Sequence, residues 1–309
     1  MGIYFLKRIA GAIVVMWVII TITFMLMHSI PGGPFTAEKK LPPLVQQKIE
    51  ETYHLNDPLF KQYTDYMSNI VKLDLGPSFK YIGRNVNDII SESFPISAQL
   101  GFTALLVAFV GGVTAGILSA MRPNSWIDYT VTFLSTLGIS VPTFIIGAIL
   151  VYYLGFQLHW FPVALWKGPM YMILPVLTLA ANPMAFIARL TRAGLLEVMN
   201  QDYIKTARAK GLSTKYVFLK HALGNAILPV ITYLGPLAAA LLTGSFIVET
   251  IFAIPGLGQY FVTSIYNRDY TVILGITIFY SGLVVLFNLI VDFIYPLIDP
   301  RLVVEKEDK

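Results

Sequence analysis

Enzymes need side chains that exchange protons, bind metals or attack substrates, and this sequence is poor in such groupings. It has no cysteine, which excludes disulfides, thiol nucleophiles, zinc–thiolate sites and iron–sulfur clusters. Its histidines, His28, His54, His159 and His221, fall in no H-E-x-x-H or other close ligand spacing. Neither a phosphate-cradling G-x-x-x-x-G-K-[ST] loop nor a G-x-S-x-G nucleophile turn occurs. No catalytic residue, metal site or cofactor held by this chain is therefore expected.

The densest run of polar groups lies between Glu197 and His221. It reads as helix, break, helix. Gly211 ends the first piece, because glycine adopts the left-handed conformation of a helix C-terminus at least cost. Ser213 is placed to cap the second piece, and Tyr216, Val217 and Leu219 give that piece an apolar stripe. Such a helix either lies on a lipid surface or docks on a soluble partner. A second cluster, Glu249 to Gly258, places Pro255, Gly256 and Gly258 where tight turns or ligand contacts form. Arg268 and Asp269 follow, as a local ion pair or as a surface for another protein.

The elements that must position these residues are membrane helices. Of 309 residues, 56% are hydrophobic and 13% charged, with mean hydropathy +0.67; soluble domains carry about 25% charged residues. The net charge of +4 comes from basic residues in a few loops, a topology signal and not a nucleic-acid footprint. Stretches of about 20 apolar residues mark about six spans, at 9–30, 96–120, 131–154, 171–188, 226–248 and 271–294. The first continues too far for a signal peptide and no A-x-A site follows, so it is expected to be retained. Asn182, Pro175 and Pro183 interrupt the fourth. Gly112 and Gly116 form a G-x-x-x-G, which predicts close helix packing in the second.

Lys7, Arg8, Arg122 and the run Arg189, Arg192, Lys205, Arg208, Lys210, Lys215 and Lys220 share one side, predicted to be cytoplasmic with both termini. Residues 1–309 then form one membrane domain, with an extracellular cap at 31–95 and a cytoplasmic loop at 189–225. In the cap, Asp57-Pro58 reads as a helix start, and Leu59, Tyr63, Tyr66, Met67 and Ile70 recur at helical spacing. Ser78 in the same segment is expected to be open to solvent. The spans hold no central ionisable residue, which argues against internal proton or sodium coupling. Any transport would need a partner to supply energy.

The Gly211 segment resembles the cytoplasmic E-A-A loop of ABC importer permeases. In E-A-A-x-x-x-G the glycine falls on Gly211 and the second alanine on Ala207, while Lys205 and Thr206 replace the other two. The variant D-Y-I-x-T-A-x-A-K-G-L-S, here Asp202 to Ser213, is similar to that of the oligopeptide and dipeptide branch. So is K-H-A-x-x-N-A-x-x-P-V, here Lys220 to Val230. Matches at Pro31–Phe35, Asp74–Ser78, Glu249–Gly258, Arg268–Tyr270 and Asp299–Arg301 extend the resemblance over nearly the whole chain. It implies an all-α type I importer permease, most like the B-type oligopeptide subunit, with dipeptides or nickel as alternative solutes. The competing class is a membrane scaffold or receptor that moves nothing. The resemblance further implies residence in a bacterial plasma membrane. The implied partners are a second homologous permease, an extracellular peptide-binding protein, and two cytoplasmic ATP-binding subunits that hold the ATP and magnesium. The implied ATPase-coupling residues are Asp202, Tyr203, Thr206, Ala207, Ala209, Gly211, Leu212, Ser213, Tyr216 and Leu219. Glu249, Pro255, Gly256, Gly258, Arg268 and Asp269 would form an extracellular motif.

Overall fold

The computed structural model describes residues 2–29, 56–81, 83–213 and 216–298. The helices in chain order are α1 (Gly2–Ser29), α2 (Leu59–Val71), α3 (Val86–Met121), α4 (Trp126–Ser140), α5 (Thr143–Leu150) and α6 (Pro169–Met199). They continue as α7 (Asp202–Ala209), α8 (Leu223–Ala226), α9 (Leu228–Leu242), α10 (Phe246–Ile251), α11 (Leu257–Asn267) and α12 (Tyr270–Ile298). Two π-helical stretches, Val151–Gln157 and Val217–Ala222, extend α5 and precede α8. Among the described residues, β-pairing is limited to an isolated bridge between Pro77 and Asn85. The expected all-α class is what forms.

The chain divides into two compact units, Met1–Pro95 with Gly256–Val285, and Ile96–Pro255 with Leu286–Lys309. In the first, α2 packs on the C-terminal part of α1. Thr21 and Tyr63 share a hydroxyl hydrogen bond of 2.8 Å, His28 Nε2 lies 3.1 Å from Gln62 Oε1, and Phe24 stacks 5.9 Å from Tyr66. Tyr63, Tyr66, Met67 and Ile70 are half-buried, as their spacing predicts, while Leu59 stays exposed. Burial pushes the Tyr66 phenol up. Asp57 does not cap α2: Pro58 holds that position with extended backbone, and Asp57 pairs with Lys61 at 2.9 Å instead. The core of this unit joins Val86, Ile89 and Ile90 of α3 to Leu257, Val272 and Ile276.

The second unit is built on α6, whose Leu174, Leu179 and Ile187 meet Leu100 and Ala104 of α3, Leu237 of α9 and Phe252. Glycine lets the backbones close. A Cβ on Gly116 would lie 2.6 Å from the Ala188 carbonyl oxygen, and one on Gly112 would lie 2.7 Å from that of Met184. The G-x-x-x-G pair is thus the seam between α3 and α6.

Among the described residues, four helical stretches are long and apolar enough to cross a membrane: Leu6–Ser29, Val86–Met121, Pro169–Met199 and Tyr270–Ile290. Two bent pairs bring the count to the expected six when each is taken as one span, with corrections. The third predicted span is broken by 111° between Ser140 and Thr143. Pro142 has no N–H to donate, and the clash with its ring drives Val141 to extended backbone (φ −88°, ψ 125°). The fifth is bent by 46° before Pro229 and ends at Leu242, where Gly244 turns at φ +85°. The fourth is not interrupted: α6 runs through Pro175 and Pro183 and continues past Arg189 to Met199. Asn182 donates to the carbonyls of Gly138 and Ile139 at the end of α4, so it ties two helices together.

Candidate functional site

The Gly211 segment folds as its residue types predict. α7 ends at Ala209, Lys210 caps it, and Gly211 follows at φ +82°. The Gly211 N–H donates to Arg208 O (2.9 Å) and the Leu212 N–H to Ala207 O (3.4 Å), the paired bonds of a Schellman cap. Ser213 Oγ then accepts from the Tyr216 N–H at 3.4 Å, the predicted second cap.

This turn has an inward and an outward face. Ile204, Ala207 and Val217 are buried with Leu195 of α6, Ala222 and Ala226. Val217 therefore leaves the predicted outer stripe. The remaining members, Leu219 and Tyr216, face out, 54% and 43% exposed, and Tyr203 (43%) and Leu212 (40%) are exposed with them. Ser213, Tyr216, Leu219 and Lys220 line an open depression, and Lys220 Nζ stands 5.5 Å above the Tyr216 ring. Asp202, Thr206 and Ala209 lie on the exposed side of α7, where Asp202 pairs with Lys205 at 2.8 Å. Lys205, Arg208, Lys210 and Lys220 are also exposed, so the same segment presents apolar and basic side chains together. It suits a partner that offers apolar side chains together with carboxylates.

The implied extracellular motif separates into structural parts. In the second unit, Glu249 of α10 is fully buried and accepts a 2.8 Å hydrogen bond from Ser97 Oγ. The tight turn falls on Ala253 (φ +49°), with Ile254 N–H bonded to Glu249 O, ahead of exposed Pro255. In the first unit, Gly256 has extended backbone at the start of α11 and Gly258 is buried within it. Arg268 takes the left-handed position (φ +57°) that ends α11. Asp269 is fully buried and so cannot be a surface for another protein. Its carboxylate accepts from Ser78 Oγ (2.5 Å), the N–H groups of Phe79 and Lys80 (both 3.2 Å) and Thr271 Oγ1 (2.9 Å). Ser78 is 2% exposed, contrary to the sequence expectation.

Two features escaped sequence reasoning. Asn225 lies in the Lys220–Val230 motif, and its side-chain amide donates to the Tyr203 phenol oxygen. A buried Asp128 and a half-buried Arg192 form an ion pair across 64 positions. The only local signal was Ser125-x-x-Asp128, a helix-start pattern in which Ser125 does cap α4. Among the described residues no group of three or more His, Asp or Glu could hold a metal ion.

Long apolar helices, glycine-seamed packing and a basic, apolar loop between two of the helices define a multi-pass membrane protein. Residues 112–304 match the family described as the binding-protein-dependent transport system inner membrane component, and residues 1–101 match its N-terminal part. The chain belongs to this family of inner-membrane transport components. It is 47% identical to the dipeptide transport system permease protein DppB of Bacillus subtilis, over 98% of this chain and 99% of that protein. It is 46% identical to the oligopeptide transport system permease protein OppB of Haemophilus influenzae (97% and 98% covered) and 44% identical to OppB of Escherichia coli (97% and 98%). The fold matches the inward-facing MetNI methionine ABC transporter at TM-score 0.57 and 19% identity, covering 68% of this chain and 96% of that one. An amino acid ABC transporter solved with histidines matches at TM-score 0.54 and 18% identity (67% and 93% covered). The type I ABC importer fold expected from the sequence is therefore present.

Proposed function

We propose that this chain is a membrane-spanning permease subunit of an ATP-driven importer that carries short peptides into a bacterial cell, oligopeptides foremost. The observation that supports peptides is full-length similarity, at 44–47% identity, to permeases named for dipeptides and oligopeptides. The chain is not an enzyme: partner subunits bind and hydrolyse ATP with magnesium. It pairs with a second, related permease and receives solute from an extracellular peptide-binding protein. The face made by Tyr203, Leu212, Tyr216 and Leu219 seats an ATP-binding subunit on the cytoplasmic side, where both termini also lie. Closure of the two ATP-binding subunits on ATP then draws the loops together and turns the pathway outward, a two-state switch biased by ATP and loaded binding protein.

The test is reconstitution in vesicles with the partner permease, both ATP-binding subunits and the binding protein. Peptides of two to five residues and nickel ions are offered separately, with ATP or with a proton gradient. ATP-dependent peptide uptake that needs all partners is the expected result. Uptake of nickel but no peptide, or proton-driven uptake by the single purified chain, overturns the reading.

A further inference from the structure

Close to the loop lies an ion pair that the sequence did not announce. Asp128, in the first turn of α4, has a side chain 3% exposed, and Arg192 lies about two turns before the end of α6. The guanidinium reaches the carboxylate through two bonds, Nε to Oδ1 at 2.6 Å and Nη2 to Oδ2 at 2.8 Å. The same oxygens accept from Ser119 Oγ at the end of α3 (2.5 Å) and from the Asn124 N–H (2.9 Å). One carboxylate thus gathers the ends of three helices, and the two-pronged geometry fixes the plane of the guanidinium.

The next residues of α6 belong to the loop. A Cβ on Gly194 would stand 2.6 Å from the Ala226 carbonyl oxygen. Leu195 is fully buried among Ile204, Ala207 and Val217. Within one turn, α6 is therefore held both by the clamp and by the loop. With its carboxylate buried and its guanidinium half-exposed, the pair adds little net stability over packed apolar side chains. What it does supply is a fixed geometry, either made or broken.

We propose that Asp128 and Arg192 are positioning residues for transport, pinning the end of α6 to α3 and α4 so that displacement of the loop moves all three helices as one body. This rests on the loop being the contact with the ATP-binding subunits. Without the clamp, the subunits still dock on the outward face of the loop and still turn over ATP. The helix ends yield locally, and the stroke does not reach the pathway.

Two variants test this in the full assembly. Arg192→Lys keeps the charge but loses the two-pronged plane. Asp128→Asn keeps the shape but loses the charge and one of the two acceptor oxygens that serve Ser119 and Asn124. Membrane level, co-purified ATP-binding subunit, ATP turnover and peptide uptake are measured on the same vesicles. Levels and co-purification are expected to stay near wild type, while peptide moved per ATP falls by about fivefold or more. An unchanged ratio in both variants overturns the proposal, and so does a fall in level and co-purification with the ratio intact. If the wild-type assembly moves no peptide at all, the functional reading itself fails and this inference falls with it.

Discussion

Asn225 donates its side-chain amide to the phenol oxygen of Tyr203 at 2.9 Å, joining α8 to α7 across the turn at Gly211. The phenol in turn lies 3.4 Å from the His221 carbonyl. Two sequence motifs 22 positions apart are therefore closed into one surface. Both side chains are exposed, so the link adds only about 1 kcal/mol. Tyr203→Phe and Asn225→Ala should leave chain levels unchanged but speed amide exchange of residues 217–226 by about fivefold, the factor that such an energy sets. Equal exchange in variant and wild type would show that the apolar contacts alone hold the loop.

Gly211→Val isolates the conformational demand at the turn. A side chain there meets no atom within 4 Å, so the cost is that of the left-handed backbone, about 1–2 kcal/mol. Insertion should survive while co-purification of the ATP-binding subunits and peptide uptake are lost. Gly211→Asn, which tolerates positive φ, should recover much of both. If valine and asparagine behave alike, the backbone explanation is wrong.

Gly116→Ala should be severe for a change of one methyl group. Its Cβ would stand 2.5 Å from Thr191 Cβ and 2.6 Å from the Ala188 carbonyl oxygen, both on the stiff body of α6. Separating α3 from α6 to make room costs about 1–3 kcal/mol. Thermal unfolding in detergent should fall by several degrees. The same change at Gly224, with nothing within 4 Å, should not lower it.

The spans were legible because hydropathy reports on composition, and composition decides which helices enter lipid. Their breaks were not. A hydropathy average is blind to the missing N–H of Pro142, while reading every proline as an interruption gives too much weight to Pro175 and Pro183, which α6 absorbs. The Gly211 turn was legible because a cap is a local event written in adjacent residues. Asp128 and Arg192 were not, because helix packing brings together positions that the sequence gives no reason to pair. Asp269 was misread for the same reason. Its neighbour Arg268 suggested an ion pair or an exposed contact, yet its carboxylate serves residues 78–80.

Asp269→Asn should destabilise the first unit. The buried carboxylate accepts from Ser78, Phe79 and Lys80, and hydrogen bonds to a charged acceptor contribute about 1.5–3 kcal/mol each. Ser78→Ala should cost less, since the two backbone N–H groups keep their partner. Proteolysis between residues 72 and 85 reads the difference: faster cleavage in Asp269→Asn than in Ser78→Ala is expected. The opposite order would show that the serine hydroxyl, not the carboxylate, organises the turn.

Orientation can be read on a clean background, because the chain has no cysteine. Lys72 at the end of α2 and Lys210 at the end of α7 are both exposed. Lys72→Cys should react with an impermeant thiol reagent on intact cells, and Lys210→Cys only after the membrane is opened. The reverse pattern would place the loop outside and remove it from the reach of ATP-binding subunits.

The corner at Val141–Pro142 also bears on where lipid can be. α4 has 15 residues, and α5 with its π-helical extension runs only from Thr143 to Gln157. At 1.5 Å per residue each arm reaches about 22 Å, short of the roughly 30 Å of hydrocarbon in a bilayer. Neither arm is long enough to cross by itself; as one broken span or as a re-entrant loop, the pair puts its bend at the depth of the acyl chains. Backbone carbonyls freed at such a depth are tolerated only against protein or water. At this corner the protein is the chain itself: the Asn182 amide of α6 answers the carbonyls of Gly138 and Ile139, supplying the partners that acyl chains cannot.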